Sequence, residues 1–157
     1  GIAAARGFAI ASGATAIGVS SLQAVARSVV GVSAVPAHPI LCVLETRRAD
    51  YFAQIFDSDG EANGVPEVMT AEDLFLLLGS MQPVLAGNAV DRLLSSYTGD
   101  PGLLWRDPGS GNPDPVHVAA LARTVFEKRG VAQDTLSPLY LRVPEAKIPA
   151  NGGRLKQ

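Results

Sequence analysis

The sequence predicts an α/β protein with a mixed sheet. Three short apolar runs rich in β-favouring side chains follow one another between Ile40 and Met69. From Thr70 the period changes to leucines three and four residues apart, the spacing of one helical face. Helix-like and strand-like segments also alternate along the chain, which is the pattern of a layered α/β fold.

Each element has its own local reason. Ala3, Ala4, Ala5, Ala9 and Ala11 favour a first helix, Gly7 weakens it, and Gly13 is placed to stop it. Ala16 to Val19 read as a short apolar strand. Ser20 or Ser21 caps a second helix, "LQAVARSVVG", with Leu22, Val25, Ala26 and Val29 on one side. "SAVPAHP" carries two prolines and marks a break between units. "ILCVLETRRADYFAQIFDSDG" then predicts two strands joined by a polar turn, with "DSDG" closing the second. "GVPEVM" predicts a third, so the three form an antiparallel meander.

In "TAEDLFLLLGSM", Thr70 is the N-cap, Glu72 and Asp73 suit the positive helix end, and Leu74, Leu77 and Leu78 make the apolar face. "QPVLAGN" predicts a buried strand and "AVDRLLSSY" a short helix. "TGDPGLLWRDPGSGNPDP" is dense in turn formers and predicts a long surface loop, with Trp105 anchoring it on the core. Asp114 as cap and Pro115 as first helical residue open "VHVAALARTVFEKRG", closed by Gly130. The end becomes a polar tail, flexible over 150–157. The β-β-β-α-β-α order of the middle is that of a ribonuclease H-like lobe.

A chain of 157 residues corresponds to one domain or two small lobes and can bury a core. Only 6% of it is aromatic, so that core must rest on Ala, Val and Leu. A net charge of -2 supplies no electrostatic argument for nucleic-acid binding. Cys42 is the sole cysteine, which excludes an intrachain disulfide and argues against a Cys-based zinc site. It lies in "PILCVLE" and is expected as a small core hydrophobe. No apolar run approaches the ~20 residues of a membrane span, and no signal-peptide pattern is present. A soluble cytoplasmic protein is expected.

Catalytic motifs are absent from the text. His38 and His117 are the two histidines; neither belongs to an HExxH or HxxxH pair. There is no GxSxG elbow. "GSG" at 109–111 lacks the strand-to-helix setting and the GK[ST] of a phosphate loop. Arg47 and Arg48 in "ETRRAD" stand beside Glu45 and Asp50, the composition of a solvated hairpin turn. The expectation is therefore no catalytic residue, no cofactor and no metal site.

Three segments together resemble one family. "GIAAARGFAIASGATAIGVSSLQAVA" resembles its small-residue helix followed by a G-V-S-x-L junction. "CVLETRRADYFAQIFD" is similar to its second-lobe hairpin, and "SPLYLRVPEAKI" to its C-terminal P-x-Y-L-R signature. The family is TsaB (YeaZ-type), a subunit of the bacterial tRNA threonylcarbamoyladenosine machinery, also filed under glycoprotease-like or peptidase M22-like names. The chain departs from the pattern at Glu45, where Asp is commoner, and at Asp50, which shifts the acidic position of the turn.

The resemblance implies an actin-like ATPase fold of two ribonuclease H-like lobes. The family's opening D-T strand and G-P-G-S-F-T-G loop lie upstream of the position of Gly1. The chain is thus expected to be the end of the first lobe (1–35), the whole second lobe (36–149) and a tail (150–157). The resemblance also implies a non-catalytic partner of a TsaD-type transferase, working with a TsaE-type ATPase, touching tRNA only indirectly and not a membrane. The competing class is an enzyme, either an M22-type metallopeptidase or a TsaD-like threonylcarbamoyl transferase.

One interface is expected on the first helix. At about 100° per residue, Ala4, Ala5, Phe8 and Ser12 share one side, with Phe8 as the core anchor. Ala3, Arg6 and Ile10 share the opposite side, with Gly7 at its edge. Small residues around one isoleucine suit close helix approach. Because the family pairs through first-lobe helices, this face is expected to contact TsaD and to support a homodimer without it.

Overall fold

A computed structural model describes residues 1–32, 38–100, 105–107, 109, 111–129 and 136–142. The order is α1 (Ile2–Ser12), α2 (Ser21–Val29), β1 (Ile40–Glu45), β2 (Tyr51–Phe56), β3 (Glu67–Met69), α3 (Ala71–Met81), β4 (Val84–Ala86), α4 (Val90–Ser95), β5 (Trp105–Arg106) and α5 (Pro115–Arg129). The break at 33–37, the helix end at Gly130 and the tail at 150–157 lie outside the described residues.

The strands form one mixed sheet in the order β3-β2-β1-β4-β5. β1 pairs antiparallel with β2 and parallel with β4; β2 pairs antiparallel with β3, and β4 parallel with β5. Only β2 runs against the rest. This is the ribonuclease H-like arrangement expected from the element order.

Side-chain alternation makes both faces of this sheet apolar, because successive residues of a strand point to opposite sides. Leu41 and Val43 of β1, Tyr51 and Ala53 of β2, and Leu85 of β4 pack with Leu74 and Leu78 of α3 and Val90 and Leu93 of α4. Their neighbours Ile40, Cys42, Phe56, Val84 and Ala86 turn the other way, onto Leu22, Val25, Ala26 and Val29 of α2. The predicted stripe of α2 is thus the buried one. Truncating a residue such as Leu74, which is fully buried, carries the usual cost of about 2–5 kcal/mol for a core leucine.

The starts of α3 and α5 are local chemistry, whereas Ser20 stands at the N-cap of α2 without a side-chain bond. The Thr70 hydroxyl accepts from Asp73 N at 3.2 Å, and the Asp73 carboxylate accepts from Thr70 N at 3.3 Å, a reciprocal cap. Asp114 Oδ1 accepts from Val116 N at 2.8 Å at the head of α5. Gly13, at φ 67°, ends α1 in the left-handed region.

Three expectations are corrected. Ala16–Val19 is not a strand: 14–20 carries no regular structure, because an apolar run becomes a strand only where a neighbour completes its hydrogen bonds. The loop before α5 contains β5, whose two residues align with Val84 and Leu85. Trp105 is therefore tied down through its backbone, while its side chain is 45% exposed rather than set in the core. Among the described residues no helix is long and apolar enough to cross a membrane.

Candidate functional site

α1 is an eleven-residue helix that buries none of its side chains. Ala3, Arg6, Gly7 and Ile10 are all exposed, Ile10 by 84%. Phe8, expected as the core anchor, is instead 76% exposed. Neither face of the wheel is buried, because which face meets a core depends on elements far away in sequence. Here none of the described residues covers Phe8. Arg6 is engaged: its guanidinium donates to the Leu136 carbonyl.

A second cluster forms at the β1–β2 turn. Arg92, from α4, donates through Nε to Glu45 Oε1 at 2.6 Å and through its terminal nitrogens to Arg48 O at 3.2 Å and Asp50 O at 3.0 Å. Its guanidinium also lies over the Tyr51 ring. Asp50 pairs with Arg142 and accepts from the Thr46 hydroxyl, whose oxygen stands 2.7 Å from Asp50 Oδ1 and 2.8 Å from Asp50 O. The Thr46 hydrogen bond, then the Arg142 charge, hold the Asp50 carboxyl below the usual carboxylate range, outweighing the opposing effect of burial. The acidic residues of this turn are thus structural partners of two arginines brought from distant segments. Arg47 sits at the tip with φ 60°, a left-handed backbone unusual for a side chain of its size.

Beside the turn, the loops after β4 and β5 touch backbone to backbone. A Cβ on Gly87 would lie 2.0 Å from Val43 O, and one on Gly111 would lie 2.5 Å from Gly87 C. Asn88 fastens the junction by accepting from Glu45 N at 3.0 Å and donating to Asn112 Oδ1 at 3.1 Å. His38 and His117 are both half-buried, one before β1 and the other in the first turn of α5. No group of three or more His, Cys, Asp and Glu that could hold a metal ion occurs among the described residues.

Sequence reasoning marked Glu45 and Asp50 but not their partners. Arg142 was legible as part of the P-x-Y-L-R text, whereas Arg92 sits in an ordinary amphipathic helix that carries no signal.

No protein-family model matches the chain, and no curated protein matches it by sequence. Solved structures do. A crystal structure of an uncharacterized protein from Pseudomonas aeruginosa, with similarity to peptidase YeaZ, superposes with a TM-score of 0.71 at 18% identity, covering 90% of this chain and 65% of that one. YeaZ from Pseudomonas aeruginosa gives a TM-score of 0.68 at 18% identity, covering 89% and 66%. The chain spans just under two thirds of the length of these neighbours. The likeness establishes a YeaZ-like, actin-like fold of the ribonuclease H-like class.

Proposed function

We propose that this chain belongs to a non-catalytic TsaB-type accessory subunit. It pairs with a TsaD-type catalytic paralogue in the synthesis of N6-threonylcarbamoyladenosine in tRNA, next to the anticodon. A TsaE-type ATPase joins the assembled complex, and tRNA is met only indirectly. The YeaZ-like fold over nine tenths of the chain supports this, as do the three family-like segments around Gly18–Leu22, Cys42–Asp57 and Pro138–Arg142.

The observation that carries the reading is the bareness of α1. A helix with Phe8 and Ile10 exposed and no side chain buried is unusual in an isolated protein, and exposed apolar surface of this kind marks contact sites. Ala3 and Gly7 allow a second backbone to come near, Ile10 supplies the anchor, and Arg6 borders the face while bound to Leu136 O. TsaD docks on this face, and in its absence a second copy of the protein does.

The test uses the full-length protein. Ala3→Glu with Ile10→Glu places two unpaired charges in the contact, costing several kcal/mol. Sedimentation should show a monomer that no longer binds TsaD, with native circular dichroism. A double variant that pairs normally puts the interface elsewhere. Depletion of the gene should also lower threonylcarbamoyladenosine in bulk tRNA; unchanged nucleoside content removes the tRNA role.

A further inference from the structure

Segment 136–142 is held at both ends and bare in between. At its start, Leu136 is buried and its carbonyl accepts from Arg6 of α1. The Leu136 side chain also lies against the 14–20 segment, 3.5 Å from where a Cβ on Gly18 would stand. At its end, Arg142 pairs with Asp50 of the β1–β2 turn, and its guanidinium carbon lies 5.7 Å from the Phe52 ring centroid. Residues 137–140 are exposed and belong to no helix or strand.

We propose that 136–142 is a strap that ties the position of α1 to the β1–β2 turn. Among the described residues α1 contributes no side chain to either core cluster and has only Ala9 half-buried, so packing holds its orientation weakly. The Arg6 hydrogen bond fixes it to the strap, and the Arg142–Asp50 pair fixes the strap to the sheet. Pro138 helps to keep the span taut, because its ring locks φ and pushes the preceding Ser137 toward extended backbone. Seven residues reach at most about 23–25 Å, so slack at one anchor passes to the other instead of being absorbed in a long loop. The Arg142–Asp50 anchor and the placement of α1 are then coupled, and the coupling acts in both directions.

The competing account is that Arg142–Asp50 is one more half-exposed surface ion pair with only local reach. Hydrogen exchange on the full chain separates the two. Arg142→Gln and, separately, Arg6→Gln should each speed exchange of amides 6–12 by at least about fivefold, while β1 and β4 amides keep their protection. Arg92→Gln, which loosens the same turn without touching Arg142, should leave amides 6–12 as they were. Unchanged α1 exchange in Arg142→Gln overturns the strap. So does α1 exchange that is already unprotected in the parent chain, or a rise that β1 shares equally. Should Arg142→Gln fail to fold, Asp50→Asn removes the same pair from its other side and should speed exchange of amides 6–12 likewise; unchanged exchange there overturns the strap.

Discussion

Arg92 holds its guanidinium carbon 3.9 Å from the centroid of the Tyr51 ring while its Nε bonds Glu45, so one side chain bridges α4 to both strands of the β1–β2 hairpin. The planar fork is what allows stacking and hydrogen bonding at once. A lysine offers a point charge and cannot reach Glu45, Arg48 O and Asp50 O together. Replacing Arg92 with Ala should lower stability by about 1–3 kcal/mol, the range for charge-assisted bonds and a cation–π contact at a half-exposed site. Arg92→Lys should recover less than half of that. Urea unfolding with an unchanged slope would measure both; equal stability of the Lys and Arg chains would contradict the geometric argument.

Acid should weaken the turn through Asp50. Its folded carboxyl titrates below the usual value, first because of the Thr46 hydrogen bond and then because of Arg142. Such a group contributes in full above its unfolded pKa, near 3.9, and the contribution is lost as pH falls through the lower folded value. Stability measured by urea between pH 6 and pH 3 should therefore fall less steeply at the acid end in Asp50→Asn. Identical acid limbs for the two chains would show that Asp50 does not carry the effect.

Two glycines should respond in opposite ways to alanine. Gly79 lies in α3 with no atom within 4 Å of an added Cβ, so Gly79→Ala should stabilise by about 0.5–1 kcal/mol through helix propensity. Gly87 has φ 123°, and its added Cβ would strike the Val43 carbonyl. Gly87→Ala should cost about 3 kcal/mol or more or abolish folding, since backbone must move. Thermal melts of the two variants suffice; a harmless Gly87→Ala would mean that the loop junction gives way easily.

Replacing His38 and His117 with Ala should leave threonylcarbamoyl transfer by the reconstituted complex within about tenfold, roughly 1.4 kcal/mol of barrier. Each lies half-buried at the start of an element. A larger loss with the fold intact would give one of them a part in the chemistry and reopen the enzymatic reading.

Local chemistry made most of the second half legible. The Thr70–Asp73 cap, the Asp114–Pro115 helix start and the Leu74–Leu78 face all depend on residues a few positions apart, and the structure shows them in place. What escaped was non-local. β5 has two residues and no apolar period, and only its parallel alignment with β4 makes it a strand. Ala16–Val19 is apolar but has no pairing strand among the described residues. The helical angle of Phe8 points it at a core, yet an angle cannot say what stands opposite. The same limit hides the partners of the two arginines, because Arg92 reaches back 47 positions to Glu45 and Arg142 reaches back 92 to Asp50.

Cys42 gives the chain a gauge of its own integrity. It is the only sulfhydryl in the sequence, fully buried in β1 at the middle of the sheet. Burial, helped by the Asp107 charge, pushes its thiol far above the ordinary range and leaves almost no reactive thiolate. A thiol reagent can therefore modify it only in molecules whose sheet has parted. When reclosing outpaces the reagent, the labelling rate divided by that of a free cysteine is the opening constant itself. The molecule thus reports how often its centre comes undone through a residue it already carries, with no cysteine introduced.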